Sequence, residues 1–209
     1  MKKIFIFDFD GVLFDTSDVT GEAILEMYPG ITPEMQQEVL CGNFHEEIEK
    51  LKHLKKLETD EEKAERKQRY AEKKAHALMY PGAQEFLRML HSEGHTLVLN
   101  TSASDRNCVP LLERAKIKDL FDFLATKEVS KSKVEKFTLI REKYDVNAED
   151  ILFITDTLGD LREADSAGIP TIAVLWGAHD RSYFAREEHP NLIGIVDSFN
   201  ELTELIKSR

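Results

Sequence analysis

The chain has 209 residues, 42% of them hydrophobic and 32% charged, with a formal net charge of −11. This composition supports a packed core, excludes global disorder, and argues against a nucleic-acid partner, since phosphate backbones attract basic faces. No apolar run approaches the roughly 20 residues of a membrane helix, so no membrane partner is expected, and the start Met1-Lys2-Lys3-Ile4 lacks a signal-peptide cleavage site, which predicts a cytoplasmic protein.

The apolar run Ile4-Phe5-Ile6 reads as a buried strand that ends in Asp8-x-Asp10. Period-two geometry sends both carboxylates to one side of the backbone, where they repel each other and resist desolvation. Either they face water or a cation belongs between them. From about Thr16 to Tyr80 no strand is expected. Ile48, Leu51, Leu54 and Leu57 recur at helical spacing opposite Glu and Lys. The capping box Thr59-x-x-Glu62 opens a strong helix whose dense charge reads as a solvated face. Cys41 to His45 interrupts these helices. Two readings stay open there: a plain inter-helix turn, or a segment facing a substrate through Asn43 and His45. The cysteines, Cys41 and Cys108, lie far apart without a ligand cluster, as in a reducing compartment.

Beyond Pro81 the pattern alternates. A helix over Gln84 to Ser92 precedes a strand over Thr96 to Leu99. A helix through Leu111, Leu112 and Ala115 precedes a short strand over Phe121 to Leu124. A helix through Val134, Phe137 and Ile140 is followed by a strand at Ile151 to Ile154. A helix near Leu161 to Ala167 then leads to a strand at Thr171 to Val174. Such alternation predicts an α/β fold: a Rossmann-like parallel sheet with helices on both faces and ligands beyond the carboxyl ends of its strands. The helical stretch after the first strand is an insertion standing over that edge. The domains expected are a core of 1–15 and 82–209 and a helical cap of 16–81.

Four polar sites fall along the same edge: Asp8-x-Asp10, Asn100-Thr101-Ser102, Thr155-Asp156 with Asp160 in the next helix turn, and "SKSKVEKF" with Lys131 and Lys133. Ser132-x-x-Glu135 reads as a capping box that makes Lys133 the first helical residue. A cation there opposes the helix dipole, so its removal is expected to leave the fold intact or slightly stabilised. Trp176 and His179 read as core packing or a solvated loop, with a segment bordering the site as the alternative.

In order, "DFDGV", "LVLNTSAS", "SKSKVEKF" and "FITDTLGDLREADSAGI" resemble the four motifs of the haloacid dehalogenase superfamily of phosphohydrolases, while "YPGAQEFLRML" is similar to its cap-to-core re-entry. The likeness is to members with a helical cap after the first motif, of the phosphoglycolate phosphatase and beta-phosphoglucomutase kind. It implies a Mg²⁺-dependent phosphatase acting on a small phosphorylated metabolite. By this resemblance Asp8 is the nucleophile and Asp10 the general acid and base. Mg²⁺ is bound by Asp8, the Asp10 carbonyl and Asp156, with Asp160 orienting its waters or the lysine. Thr101 and the Ser102 N–H bind phosphate. Lys131 and Lys133 both fit the lysine motif by spacing, and Lys133 is preferred because it begins the helix. Thr155 stands where the family commonly has glycine. A phosphosugar mutase fits the same motifs. A non-hydrolytic phospho-aspartate switch is the rival from another class, although such receivers lack the insertion.

Overall fold

The computed structural model describes residues 2–208. Six parallel strands form the sheet: β1 (Ile4–Phe7), β4 (Thr96–Asn100), β5 (Phe123–Ala125), β6 (Ile151–Thr155), β7 (Thr171–Val174) and β8 (Leu192–Val196), in the order β5-β4-β1-β6-β7-β8. Phe5, Phe7, Leu97, Leu99, Leu152 and Ile154 share one face. There they pack on α5 (Ala83–Ser92), α6 (Asp105–Arg114) and α10 (Phe199–Lys207). Ile4, Ile6, Val98, Ile151 and Phe153 share the other, against α7 (Lys133–Tyr144) and α8 (Leu158–Ala167). Both faces are covered, so the strands read as continuous apolar runs. The expected α/β architecture is the one observed.

β1 lies between the strands that follow it in the two halves of the sheet, which puts its carboxyl end at the place where such folds bind ligands. The chain leaves through β2 (Phe14–Asp15) and returns through β3 (Leu78–Met79), which pair antiparallel. The strand rule fails for this two-residue ladder, which is too short for a hydrophobic period, and β8 was likewise not anticipated. Between β2 and β3 run α1 (Ser17–Met27), α2 (Pro33–Val39), α3 (Phe44–Lys50) and α4 (Asp60–Lys74). Their own cluster joins Ile24, Tyr28, Ile31 and Val39 to Ile48, Leu51 and Leu54. The expected stripe stops there: α3 ends at Lys50, the helical period lapses, and Leu57 is 96% exposed. The charged α4 also departs from a wholly solvated face. Arg66 is buried in a two-pronged pair with Glu58 (2.7 and 2.8 Å), and Lys74 is buried at its last turn. Cys41 and Cys108 are free and buried. Among the described residues no helix is long and apolar enough to cross a membrane.

Candidate active site

The ends of β1, β4 and β6 carry the polar residues. Alternation along each strand places Asp8, Asn100 and Thr155 on the sheet face of Ile6, Val98 and Phe153, towards α7 and α8. Ser132 caps α7 by accepting from Glu135 N, but the capping box is incomplete because the Glu135 carboxylate turns to Ser130 Oγ. Lys133 thus opens α7, 1% exposed, with Nζ 3.0 Å from Asp8 Oδ2 and 2.5 Å from Asp160 Oδ2. Thr157 caps α8, which puts Asp160 in its first turn, where Thr155 Oγ1 also donates to Asp160 Oδ2 (2.8 Å). Lys133 is the lysine brought to Asp8. Lys131 is exposed, lies on a groove of about 430 Å³ with His45, Glu46, Glu49 and Glu135, and offers only its carbonyl to Asn43.

Burial raises the Asp8 carboxyl well above its usual range, against the pull of Lys133. Burial also raises Asp156 to about 7, although Ala178 N donates to its Oδ2 (2.7 Å). Asp160 moves the other way: burial opposes its charge, but Lys133 and the bonds from Asp8, Lys133 and Thr155 outweigh it. Lys133 is raised because Asp160 and Asp8 outweigh its own burial. Asp8 and Asp156 therefore lack positive charge, while Asp160 has its counter-charge in Lys133.

The fold family implies a divalent cation, and the residues fit one. Asp156 Oδ1 is buried without a partner. At Gly11, φ is +74° and a Cβ would stand 1.9 Å from Asp156 Oδ2, so only glycine lets this backbone approach the carboxylate. Among the described residues no three acidic, histidine or cysteine side chains form a cage.

Asp10 faces the helical insertion. Its Oδ1 accepts from Thr16 Oγ1 (2.6 Å), at the start of α1, and pairs with Lys74 Nζ (2.5 Å), the last residue of α4. Lys74 escaped sequence reading because nothing in a Lys-rich helix marks which lysine turns inward. Thr101 Oγ1 accepts from Ala103 N (3.0 Å), which folds the Thr101–Ser104 turn above β4. From α7, Lys136 donates to Thr101 O (2.7 Å). It too was missed, its one signal being the Lys-x-Glu-Lys pattern.

Asn43 requires a correction. Its Oδ1 accepts from His45 N and Glu46 N, and its Nδ2 donates to Lys131 O (3.1 Å) and Glu163 Oε1 (3.0 Å), so no amide hydrogen remains for a substrate. It docks the insertion on the core instead. His45, beside it, has a buried Nε2 without a partner. Burial, then Lys127, Lys131 and Lys136, push its imidazole down to about 4. The same turn meets α8, where Gly159 N donates to Leu40 O (2.9 Å) and a Cβ on Gly159 would stand 2.2 Å from Gly42 O. His179 is buried: its Nδ1 accepts from Leu158 N (2.9 Å), while Nε2 lies 3.3 Å from Gln37 O. Trp176 donates to Val12 O (3.1 Å) and steadies the loop beside Asp156.

The profile of the haloacid dehalogenase-like hydrolases matches residues 5–174. The chain belongs to that family. A probable phosphatase IndB of Dickeya dadantii is 27% identical over 215 residues, covering 97% of this chain and 92% of the relative. A phosphoglycolate phosphatase of Nitrosospira multiformis is 26% identical over 227 residues, covering 98% and 96%. The crystal structure of CbbY from Rhodobacter sphaeroides in complex with phosphate superposes with a TM-score of 0.75 at 23% identity, covering 97% of this chain and 96% of that one. The expected enzyme class, a phosphatase of this superfamily, agrees with these relatives.

Proposed function

We propose that this hydrolase is a Mg²⁺-dependent phosphatase that acts on a small phosphomonoester through an aspartyl-phosphate on Asp8, with residues 16–81 as its cap domain. The observation that carries the reading is the Lys133 ammonium shared by Asp8 and Asp160 at the carboxyl edge of the sheet, with the Asp10 carboxylate, two residues on, held from the cap side by Thr16 and Lys74. Asp8 attacks phosphorus and the ester P–O bond breaks, while Asp10 gives its proton to the leaving oxygen. Asp10 then takes a proton from the water that attacks the phosphoryl group. The P–O bond to Asp8 breaks, and phosphate and the free carboxylate are restored. Lys133 neutralises the nucleophile and the phosphoryl oxygens, and Thr101 Oγ1 with the Ser102 N–H donates to them. Asp8, the Asp10 carbonyl and Asp156 would hold Mg²⁺, which when bound would supply charge neutralisation for the phosphoryl transfer.

The relatives named phosphoglycolate phosphatase make phosphoglycolate the first substrate to try. The test is phosphate release from phosphoglycolate, sugar phosphates and a nucleotide, with Mg²⁺ and with excess chelator. Turnover that stops in chelator and in Asp8→Asn is expected. Undiminished turnover in either would overturn the metal or the nucleophile respectively. A single phosphorylation without turnover would favour the switch, and transfer between sugar positions the mutase.

A further inference from the structure

α7 buries two lysines one turn apart, Lys133 at 1% and Lys136 at 0% exposure. Lys133 has two carboxylates for partners. Lys136 has a single carbonyl, Thr101 O, at 2.7 Å, and this is the one hydrogen bond its ammonium makes among the described residues. A lone carbonyl is a poor return for desolvating an ammonium, and a neutral donor would satisfy it at far lower cost. Burial and the neighbouring Lys133 push Lys136 down to about 8, and Asp8, Asp160 and Glu163 only partly oppose them. The surroundings also hold unspent polar valence. Asn100, on the same sheet face and next to Thr101 in the chain, is 0% exposed, with neither side-chain Oδ1 nor Nδ2 partnered. His45 Nε2 is buried and unpartnered as well.

The geometry points to Lys136 as a positioning residue for phosphate: it fixes the Thr101–Ser102 turn from behind and adds a second buried positive charge that becomes useful when a phosphate dianion binds. This rests on the phosphatase reading. Without a dianion, Asp8, Asp156 and Asp160 face Lys133 and Lys136. A bound phosphate adds two negative charges, which a divalent cation and two lysines offset more completely than the cation and one lysine do. Holding Thr101 by its carbonyl, with Ala103 N on its Oγ1, leaves its hydroxyl hydrogen and the next N–H to donate to the ligand.

The test compares wild type with Lys136→Met, which keeps the length but removes charge and donor, and with Lys136→Gln, which keeps a neutral donor. Calorimetry with inorganic phosphate in Mg²⁺ buffer gives affinity without requiring turnover. Kinetics on an aryl phosphate give kcat and KM, and circular dichroism gives the thermal midpoint. Lys136→Met is expected to keep or raise the midpoint, since a buried charge is gone, while phosphate affinity falls at least tenfold and kcat falls about 10- to 100-fold. Lys136→Gln should recover part of kcat but little of the affinity. Phosphate affinity within threefold of wild type in either folded variant would overturn the proposal. So would a loss of affinity only in proportion to a lowered midpoint, the mark of a merely structural lysine. Wild type that binds phosphate but never turns over would sink the phosphatase reading, and the phosphate titrations would still decide Lys136. Wild type that does not bind phosphate would overturn both.

Discussion

Replacing Lys133 by alanine should destabilise the fold, although its position at a helix start suggests the opposite. The dipole argument is worth about 0.3–1 kcal/mol in favour of removal. Against it stand the contacts: Nζ lies 3.0 Å from Asp8 and 2.5 Å from Asp160, and all three groups are buried. Removing one member of a buried ionic cluster and leaving the others uncompensated costs about 3–5 kcal/mol. For a chain of 209 residues, at about 2–4 °C per kcal/mol, the thermal midpoint should drop by roughly 6–20 °C. Lys131→Ala, at an exposed site, should stay within about 0.5 kcal/mol. Thermal unfolding and urea titration in metal-free buffer measure both. A double variant, Lys133→Ala with Asp160→Asn, should recover part of the loss, because one orphaned charge has gone. A Lys133→Ala midpoint less than about 6 °C below wild type, or a double variant as unstable as the sum of its singles, would refute the reasoning (~3 kcal/mol being the least effect it allows).

Gly159→Ala should push the Leu40–Asn43 turn off α8, since the new methyl would meet Gly42 O at 2.2 Å. A cost of about 1–3 kcal/mol is expected in urea unfolding, with impaired turnover. His45→Asn tests a pH effect. The folded imidazole titrates near 4, below its ordinary 6.5, so the unfolded chain binds the proton first as pH falls. The associated stability is present above pH 6.5 and is lost towards pH 4. Wild type should therefore lose more stability between pH 7 and pH 5 than His45→Asn does; parallel losses of urea midpoint would count against a buried neutral His45.

The residues that could be read in advance are those whose neighbours are fixed by short-range rules. Asp8, Thr101 and Asp156 each follow an apolar run of strand length, and a parallel sheet aligns the carboxyl ends of such runs. Their convergence on one edge therefore follows from period and topology alone. Lys133 over Lys131 was legible for a similar reason, since a cap residue at 132 marks where the helix starts. Partners set by tertiary packing were not legible. Lys74 lies among Lys and Glu at every helical phase, and only the return of the chain through β3 turns it onto Asp10. Asn43 looked like a substrate ligand because it stood in a polar turn, but the docking of that turn on Glu163 and Lys131 uses up its amide.

At Lys133 the helix start is legible in the chain, but the energetics depend on partners that only the fold supplies. From the chain alone the only field at that residue is the helix dipole, a term below about 1 kcal/mol that falls off within one turn. The fold adds two carboxylates within 3.0 Å and removes the water that would screen them. Charge interactions strengthen several-fold as the surroundings become less polarisable, so the packed term exceeds the local one and reverses its sign. The same reasoning separates Lys133 from Lys136. Both are buried, but one has its counter-charges in place and is raised, while the other has a single carbonyl and is lowered to about 8. A lysine paired with carboxylates stabilises the fold it sits in. A buried lysine without them is a cost to the empty protein, and it offsets that cost only when an anion arrives.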